Sequence, residues 1–343
     1  MDKEKDENRG LIPIIILNWN GEKDTISCLR SIKQTKTESF IPVIVDNGSK
    51  IESLATLKNE CNQLYRNILY IPRDAINNSK SEIIKNVEKQ NDLLIFIENN
   101  ENLGFAKGNN IGIEIAKHLN SNWVMLLNND TEVEPDALDK LESHINNNEN
   151  IYAVTPQIRF FHDKEKIWNC GGELTYFGSR KYYYAGEHYT SIPSAKNASD
   201  ITFVTGCALL FRYKETGVLT EDFFFGEEDY EFSLRLKMKN LKMTCLYGSI
   251  IYHKVGSTIK KNNNTLNSTY LYYINRLIDV RNYYSSPRWH ITKIFAYLYL
   301  PVLLIKNNIN PSKAFALIMS INKYVNKHNK VDANEFNRIL KNK

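Results

Sequence analysis

Leu11-Ile12-Pro13-Ile14-Ile15-Ile16-Leu17-Asn18-Trp19-Asn20 is the stretch on which the fold turns. Seven apolar residues, four of them isoleucine, stop abruptly at polar ones. A β-branched run without polar alternation reads as a strand buried on both faces, delivering a functional loop at its carboxyl end. Helical spacing resumes at once. Asp24 or Thr25 can cap a helix whose Ile26, Leu29 and Ile32 face the sheet, and a second strand, IPVIVDNGS, stops at an Asp46-Asn47-Gly48 turn. This is a βαβ start.

The alternation continues. Residues 52–66 read as helix, ILYI as a strand, 80–90 as helix, DLLIFIEN as a strand, 112–119 as helix, and WVMLLNND as a third buried strand ending in acid. Such a series predicts an α/β fold with an open, mostly parallel sheet, its site lying along the carboxyl edge. After about residue 150 short β-like pieces (YAVTPQIRFF, ELTYFG, YYYAG, ITFVTGCALLFR) predict an antiparallel extension. An acidic cluster, a helix over 235–240 and a strand near MTCLYGSIIYH follow, then a basic tail with helices over 270–284, 291–306 and 312–327.

Composition sets bounds on this reading. The chain has 343 residues, 42% hydrophobic and 24% charged, enough apolar material for one large or two modest domains, which excludes intrinsic disorder and collagen-like repetition. Its net charge of +5 conceals a partition: residues 232–343 hold 19 Lys and Arg against 3 Asp and Glu, a charge of +16, and the remainder carries −11. One end should seek anionic surfaces, unless it is simply a solvated lysine-rich tail. Cys28, Cys61, Cys170, Cys207 and Cys245 are scattered and lack CxxC spacing, so neither a disulfide framework nor a zinc site is expected, and a reducing compartment is. A charged start followed by only seven apolar residues is too short for a secretory segment, so the expected location is cytoplasmic.

Four groups of residues carry chemistry. Asp130, at the end of a buried strand within Asn128-Asn129-Asp130, can hold a divalent cation on a diphosphate, although Asn-Asn-Asp also makes a good turn. Glu227-Glu228-Asp229-Tyr230-Glu231 gathers four carboxylates whose repulsion suits a general base, with Arg235 available to pair one of them; a helix start favoured by the dipole is the competing explanation. His253 follows a strand, as an ordinary histidine or a further ligand for a metal at Asp130. Asn102-Leu103-Gly104-Phe105-Ala106-Lys107-Gly108-Asn109-Asn110-Ile111-Gly112 offers glycines for close approach, amides for hydroxyls or base edges, and a lysine for phosphate. No G-x-G-x-x-G follows the first strand, which disfavours a dinucleotide dehydrogenase.

Taken in order, LNWNG (17–21), VDNGS (45–49), NLGFAKGNNIG (102–112), LLNND (126–130), VTGCALLFR (204–212), FFFGEEDYEFSLRL (223–236) and H-x-x-G-S-T (253–258) resemble the family 2 glycosyltransferases of GT-A fold, most of all the bacterial rhamnosyltransferase-like members. The resemblance implies an inverting enzyme that uses a nucleotide-diphosphate sugar, UDP- or dTDP-linked, with a cell-surface polysaccharide or lipid-linked oligosaccharide as acceptor. By position it implies Asn18, Asn20 and Asp46 at the base and ribose, and Asn102, Lys107 and Asn109 in the second nucleotide segment. Asp130 would bind Mg²⁺ or Mn²⁺ with the diphosphate, Asn128 would hydrogen-bond in place of the motif's first acid, and His253 would complete the metal sphere. Glu228-Asp229 matches the Glu-Asp pair in which the Asp is catalytic base. Glu231 stands where an Asp is usual for acceptor binding, and an insertion around residues 74–91 is expected to be a surface excursion containing a helix.

The expected organisation is a catalytic domain over 1–260, with a nucleotide half (11–130) and an acceptor half (131–260), and a basic helical extension over 261–343. Two other functions compete: a sugar-1-phosphate nucleotidyltransferase, which would want a basic Gly-rich loop after the first strand, and a non-catalytic membrane-associated assembly subunit. No nucleic-acid partner is expected. The apolar run 291–306, flanked by Lys293 and Lys306 and broken by Pro301, is too short to span a bilayer. It reads as a helix lying in a membrane surface at the inner face of the cytoplasmic membrane, as a homodimer contact, or as a cap on the catalytic domain.

Overall fold

A computed structural model of the chain describes residues 10–89, 91–255 and 265–341. The first half runs β1 (Ile12–Asn18), α1 (Glu22–Ile32), β2 (Phe40–Asn47), α2 (Ile51–Leu64), β3 (Asn67–Pro72), α3 (Lys80–Lys89), β4 (Leu93–Asn99), α4 (Phe105–His118) and β5 (Val124–Leu127). The second continues through β6 (Thr131–Val133), α5 (Ala137–Asn146), β7 (Ile151–Phe160), β8 (Ile167–Asn169), β9 (Gly172–Leu174), β10 (Arg180–Tyr182), β11 (Ala198–Ile201), β12 (Ala208–Phe211), α6 (Tyr213–Thr216), α7 (Glu228–Met238) and β13 (Lys242–His253). The extension is α8 (Thr265–Tyr283), α9 (Ser286–Lys306), α10 (Pro311–Lys327) and α11 (Ala333–Lys341).

The central sheet has the order β11-β13-β7-β12-β5-β1-β2-β4-β3. β1 pairs in parallel with both β2 and β5, and β4 with β2 and β3. β12 enters antiparallel between β5 and β7, and β13 then runs parallel to β7, so the second half is mixed rather than purely antiparallel. The continuous apolar run of β1 has a direct cause: Ile15 enters the core on one face of the sheet while Ile14 and Ile16 enter the core on the other. The excursion after β3 is a 3₁₀ turn over Arg73–Asn78 followed by α3, and Ile76 and Ile83 are buried in the sheet's core. Residue 90, the last of that expected helix, lies outside the described residues.

Two helix starts differ from expectation. α1 begins at Glu22 after Gly21, with no side-chain cap, because Thr25 Oγ1 donates instead to Asn18 Oδ1 at 2.8 Å. α4 begins at Phe105, seven residues early, so Lys107 and Asn109 stand in its first turns and not in a loop. Its glycines serve packing: a Cβ on Gly108 would meet Leu17 at 2.6 Å, and one on Gly112 would meet Ile15 at 2.5 Å. They let the helix lie close on β1 and β2, so the close approach they permit at these two positions is that of the helix to the sheet.

The extension shares a core with the rest. Ile274, Leu277 and Ile278 of α8, Leu300 and Leu304 of α9, and Ile321 and Val325 of α10 pack with Phe203, Phe223, Tyr230 and Leu234. Val331, before α11, exchanges backbone hydrogen bonds with Asp222 and Phe224, tying the chain's end to the loop that leads into α7.

Candidate active site

The carboxyl ends of β1 and β2 meet in a closed hydrogen-bond set. Asn18 Nδ2 donates to Asp46 Oδ1 at 2.7 Å and to Ser49 Oγ at 3.1 Å. Asp46 also accepts from Ser49 Oγ at 2.6 Å and from Ser49 N–H at 3.0 Å. Asn18 and Asp46 are both fully buried, so they brace the loop from below and leave the surface to Trp19 (51% exposed) and Asn20. Asn20 takes a left-handed backbone (φ 52°) and its Oδ1 accepts from Lys50 N–H at 2.8 Å, which locks the two loops together. An Asn tolerates that conformation better than most residues.

The second predicted segment lies beside the first. Asn47 Nδ2 donates to Asn102 Oδ1 at 3.0 Å, and Asn102 Oδ1 also accepts from Gly104 N–H at 2.9 Å. Lys107 is exposed, whereas Asn109 is buried and donates back to the Phe105 carbonyl at 2.9 Å. Lys107 is thus the member of this segment free to reach an anion.

At the end of β5, Asn128 N–H donates to the Cys207 carbonyl at 2.8 Å, setting the turn that presents Asp130. β13 ends beside it, and His253 Nε2 stands 3.2 Å from Asp130 Oδ1, with both residues 8% exposed. Among the described residues no group of three or more His, Cys, Asp and Glu is placed to hold an ion. The pair still fits a divalent cation: two ligands at right angles and about 2.1 Å from an ion stand about 3 Å apart. Two protein ligands leave the other positions to phosphate oxygens and water, as a nucleotide-diphosphate site requires. Gly256, Ser257 and Thr258 of the predicted H-x-x-G-S-T motif lie outside the described residues.

The acid cluster opens α7, and each carboxylate has a different environment. Glu227 caps the helix in a left-handed conformation (φ 72°) and is clamped by two arginines, Arg180 Nη2 at 2.8 Å and Arg276 Nε at 2.6 Å. Glu228 is 5% exposed and accepts from Gly226 N–H at 2.8 Å; burial pushes its carboxyl up to about 8, so it is a neutral acid at pH 7. Asp229 keeps 27% of its side chain exposed, 3.5 Å from Arg180. Burial raises it above the ordinary Asp range, with Arg180 opposing and Glu227 reinforcing. Glu231 is turned inward: Arg235 Nε and Nη2 donate to it at 2.9 and 3.1 Å, and the Tyr283 hydroxyl of α8 donates to it too. At 5% exposure it joins α7 to the extension instead of facing an acceptor, which corrects the position-based expectation, while the expected pairing of Arg235 with one of the acids is present.

Sequence reasoning missed the residues that hold this cluster in place. Arg180 comes from β10, and α8 supplies Asn275, whose Nδ2 donates to the Phe225 and Gly226 carbonyls, Arg276 and the buried Asp279. Burial, then Glu227 and Glu231, hold Asp279 well above the carboxylate range. Nothing in the local sequence around residues 180 or 276 signals this, since the partners are 47 and 49 residues from Glu227. Removing one partner from a buried ion pair costs about 3–5 kcal/mol. Arg276→Met is therefore expected to lower unfolding stability by about that amount in urea denaturation. Full stability in that variant would mean that Glu227 does not need its second arginine.

The sheet's carboxyl edge thus brings together a carboxylate–imidazole pair, a partly exposed Asp with raised basicity and the loops that follow β1 and β4. Gly206 lies 3.9 Å from Asp229 Cβ by its own would-be Cβ, and the next residue, Cys207, bonds Asn128, so the metal and base candidates share one turn of chain. The fold is GT-A, an open and mostly parallel sheet flanked by helices, as in GT-A glycosyltransferases. It resembles GalNAc-T7, solved with UDP, GalNAc and Mn²⁺ (TM-score 0.58, 15% identity, 92% of this chain and 55% of that one). It also resembles the mannosyltransferase PcManGT from Pyrobaculum calidifontis, solved with GDP-Man and Mn²⁺ (TM-score 0.52, 13% identity, 92% and 76%).

The family model "Glycosyl transferase family 2" matches residues 74–214. An uncharacterized glycosyltransferase of Methanocaldococcus jannaschii is 26% identical over 189 residues, 53% of this chain and 61% of that protein. Over those stretches the chain is similar to family 2 glycosyltransferases, and it spans less than two thirds of that relative's length.

Proposed function

We propose that this chain is an inverting glycosyltransferase that moves a sugar from a UDP- or dTDP-linked donor to a hydroxyl of a cell-surface polysaccharide or lipid-linked oligosaccharide. The observation that carries the reading is the placement of Asp229, partly exposed and raised in basicity, against Gly206, whose neighbour Cys207 bonds the turn that leads to Asp130 and its partner His253. The nucleotide complexes of the two fold neighbours and the family match support it. The rhamnosyltransferase-like motifs make a dTDP-linked deoxyhexose the first donor to try.

In this reading the acceptor hydroxyl gives its proton to Asp229 as its oxygen attacks the anomeric carbon from the face opposite the diphosphate, and configuration inverts. Glu228 stays protonated and holds the Gly226 loop; Arg180 and Glu227 fix the start of α7 so that Asp229 does not swing away. Asn20 and Lys107 are the most exposed of the predicted nucleotide-segment residues, and Asn102 and Asn128 keep part of their surface as well. Asp130 and His253 would hold a divalent ion, which when bound would supply charge stabilisation to the leaving diphosphate. The imidazole in that pair favours Mn²⁺ over Mg²⁺.

The test is a panel of NDP-sugars with Mn²⁺ or Mg²⁺, read by melting temperature and by release of nucleoside diphosphate. One donor is expected to raise Tm only with metal present, because a ligand bound by the native state alone stabilises it. A panel in which no NDP-sugar shifts Tm and none is turned over would overturn the reading.

A further inference from the structure

α9 is apolar on both sides, and only one side is covered. Trp289, Leu300 and Leu304 are buried against α8 and α10, while Ile294, Phe295, Leu298, Tyr299, Val302 and Ile305 are 49–66% exposed. At 3.6 residues per turn those six fall on a single face, which α10 widens with Phe315 and Met319, 66% and 53% exposed. The Phe177 ring of the β9–β10 loop meets Phe295 at 5.3 Å and carries the patch onto the catalytic unit. A contiguous apolar surface of this kind marks an interaction site.

The charge around it selects the occupant. From residue 280 to 331 the chain holds eight Lys and Arg and no Asp or Glu. Lys306 continues the row one turn beyond Val302, and Lys313 stands at the start of α10, both exposed, whereas Lys323 shares a hollow with Asp332 and Glu335. A second copy seated on the same face would bring Lys306 and Lys313 against their own like charges, with no acid in α9 or α10 to answer them. The phosphates of an anionic bilayer answer both lysines, and Tyr299 and Tyr176 have the amphipathic rings that settle at headgroup depth. No helix among the described residues is long and apolar enough to cross a membrane, and the inner side of α9 is committed to the protein core.

We infer that the exposed face of α9 and α10 docks in the plane of an anionic lipid bilayer. Phe177 is three residues from Arg180, which pairs with Glu227 and Asp229, so docking would set the acceptor end of the site at the membrane surface. That last consequence rests on the transferase reading; the docking itself does not.

Sedimentation of the full chain with phosphatidylcholine vesicles, with and without phosphatidylglycerol, tests it in the absence of donor. Partition into the anionic vesicles is expected to exceed that into neutral ones by about tenfold or more at low salt and to fall as salt rises. Leu298→Glu/Val302→Glu should lose binding by about tenfold or more with Tm unchanged, since both positions are exposed. Lys306→Glu/Lys313→Glu, which keeps the apolar row, should remove only the preference for anionic lipid. The inference is overturned if the wild type stays in solution at low salt, if the variants bind as it does, or if sedimentation equilibrium finds a dimer that Leu298→Glu dissolves.

Discussion

Asp229→Asn lowers the rate of sugar transfer by about 10²–10⁴, the span that a positioned general base contributes. The amide keeps the size of the side chain and its contact with Arg180 but cannot accept the acceptor's proton. Glu228→Gln is the matched comparison: Glu228 is already uncharged at pH 7, with its carboxyl pushed up to about 8 and one oxygen accepting from Gly226 N–H. An amide reproduces that state, and the variant should keep most of its turnover. The pH profile carries the same sign. A base must be deprotonated to act, so activity falls as pH drops through the raised Asp229 value, and the acid limb lies above the ordinary Asp range. Initial rates across pH for wild type and both variants check all three statements; full turnover in Asp229→Asn would remove Asp229 from the role.

Asp130→Ala carries the second large effect, a loss of about 10²–10³ in rate, comparable to removing a preorganised group that offsets developing charge. Removing the carboxylate leaves His253 as the one predicted protein ligand, so Mn²⁺ affinity should drop as well. Titration of Mn²⁺ into the variant, followed by its magnetic resonance signal, separates this from a folding defect. Wild type stripped by a chelator should match the variant and recover on adding Mn²⁺. Undiminished, metal-independent turnover in Asp130→Ala would show that the Asp130–His253 pair is a hydrogen bond and nothing more.

Much of the fold was legible because buried parallel strands have an unmistakable pattern. β1, β2, β4 and β5 are uninterrupted apolar segments, each ending in Asn or Asp or just before one, and both faces of the sheet need that apolarity. Where several demands fall on one residue the sequence alone did not separate them. Gly108 and Gly112 look in sequence like points where a ligand comes close, yet close packing of α4 on β1 and β2 accounts for them. Asn18 and Asp46 look like ligand contacts but spend their hydrogen bonds on one another and on Ser49. A linear pattern records that a polar residue sits at a strand end; it does not record whether the next layer covers it.

The seven apolar residues that end at Asn18, and the strands that repeat their design, determine by themselves an α/β sheet with its chemistry along the carboxyl edge. They do so because periodicity and burial are local properties of a chain. The separate fates of Glu227, Glu228, Asp229 and Glu231 are not local. Four neighbouring acids become a clamped cap, a neutral acid, a partly buried base and a buried strut only because Arg180 arrives from β10, Arg276 and Tyr283 from α8, and Arg235 from one turn further along α7. Charge state depends on burial and on the nearest opposite charge, and both are set by residues distant in sequence and brought close by folding.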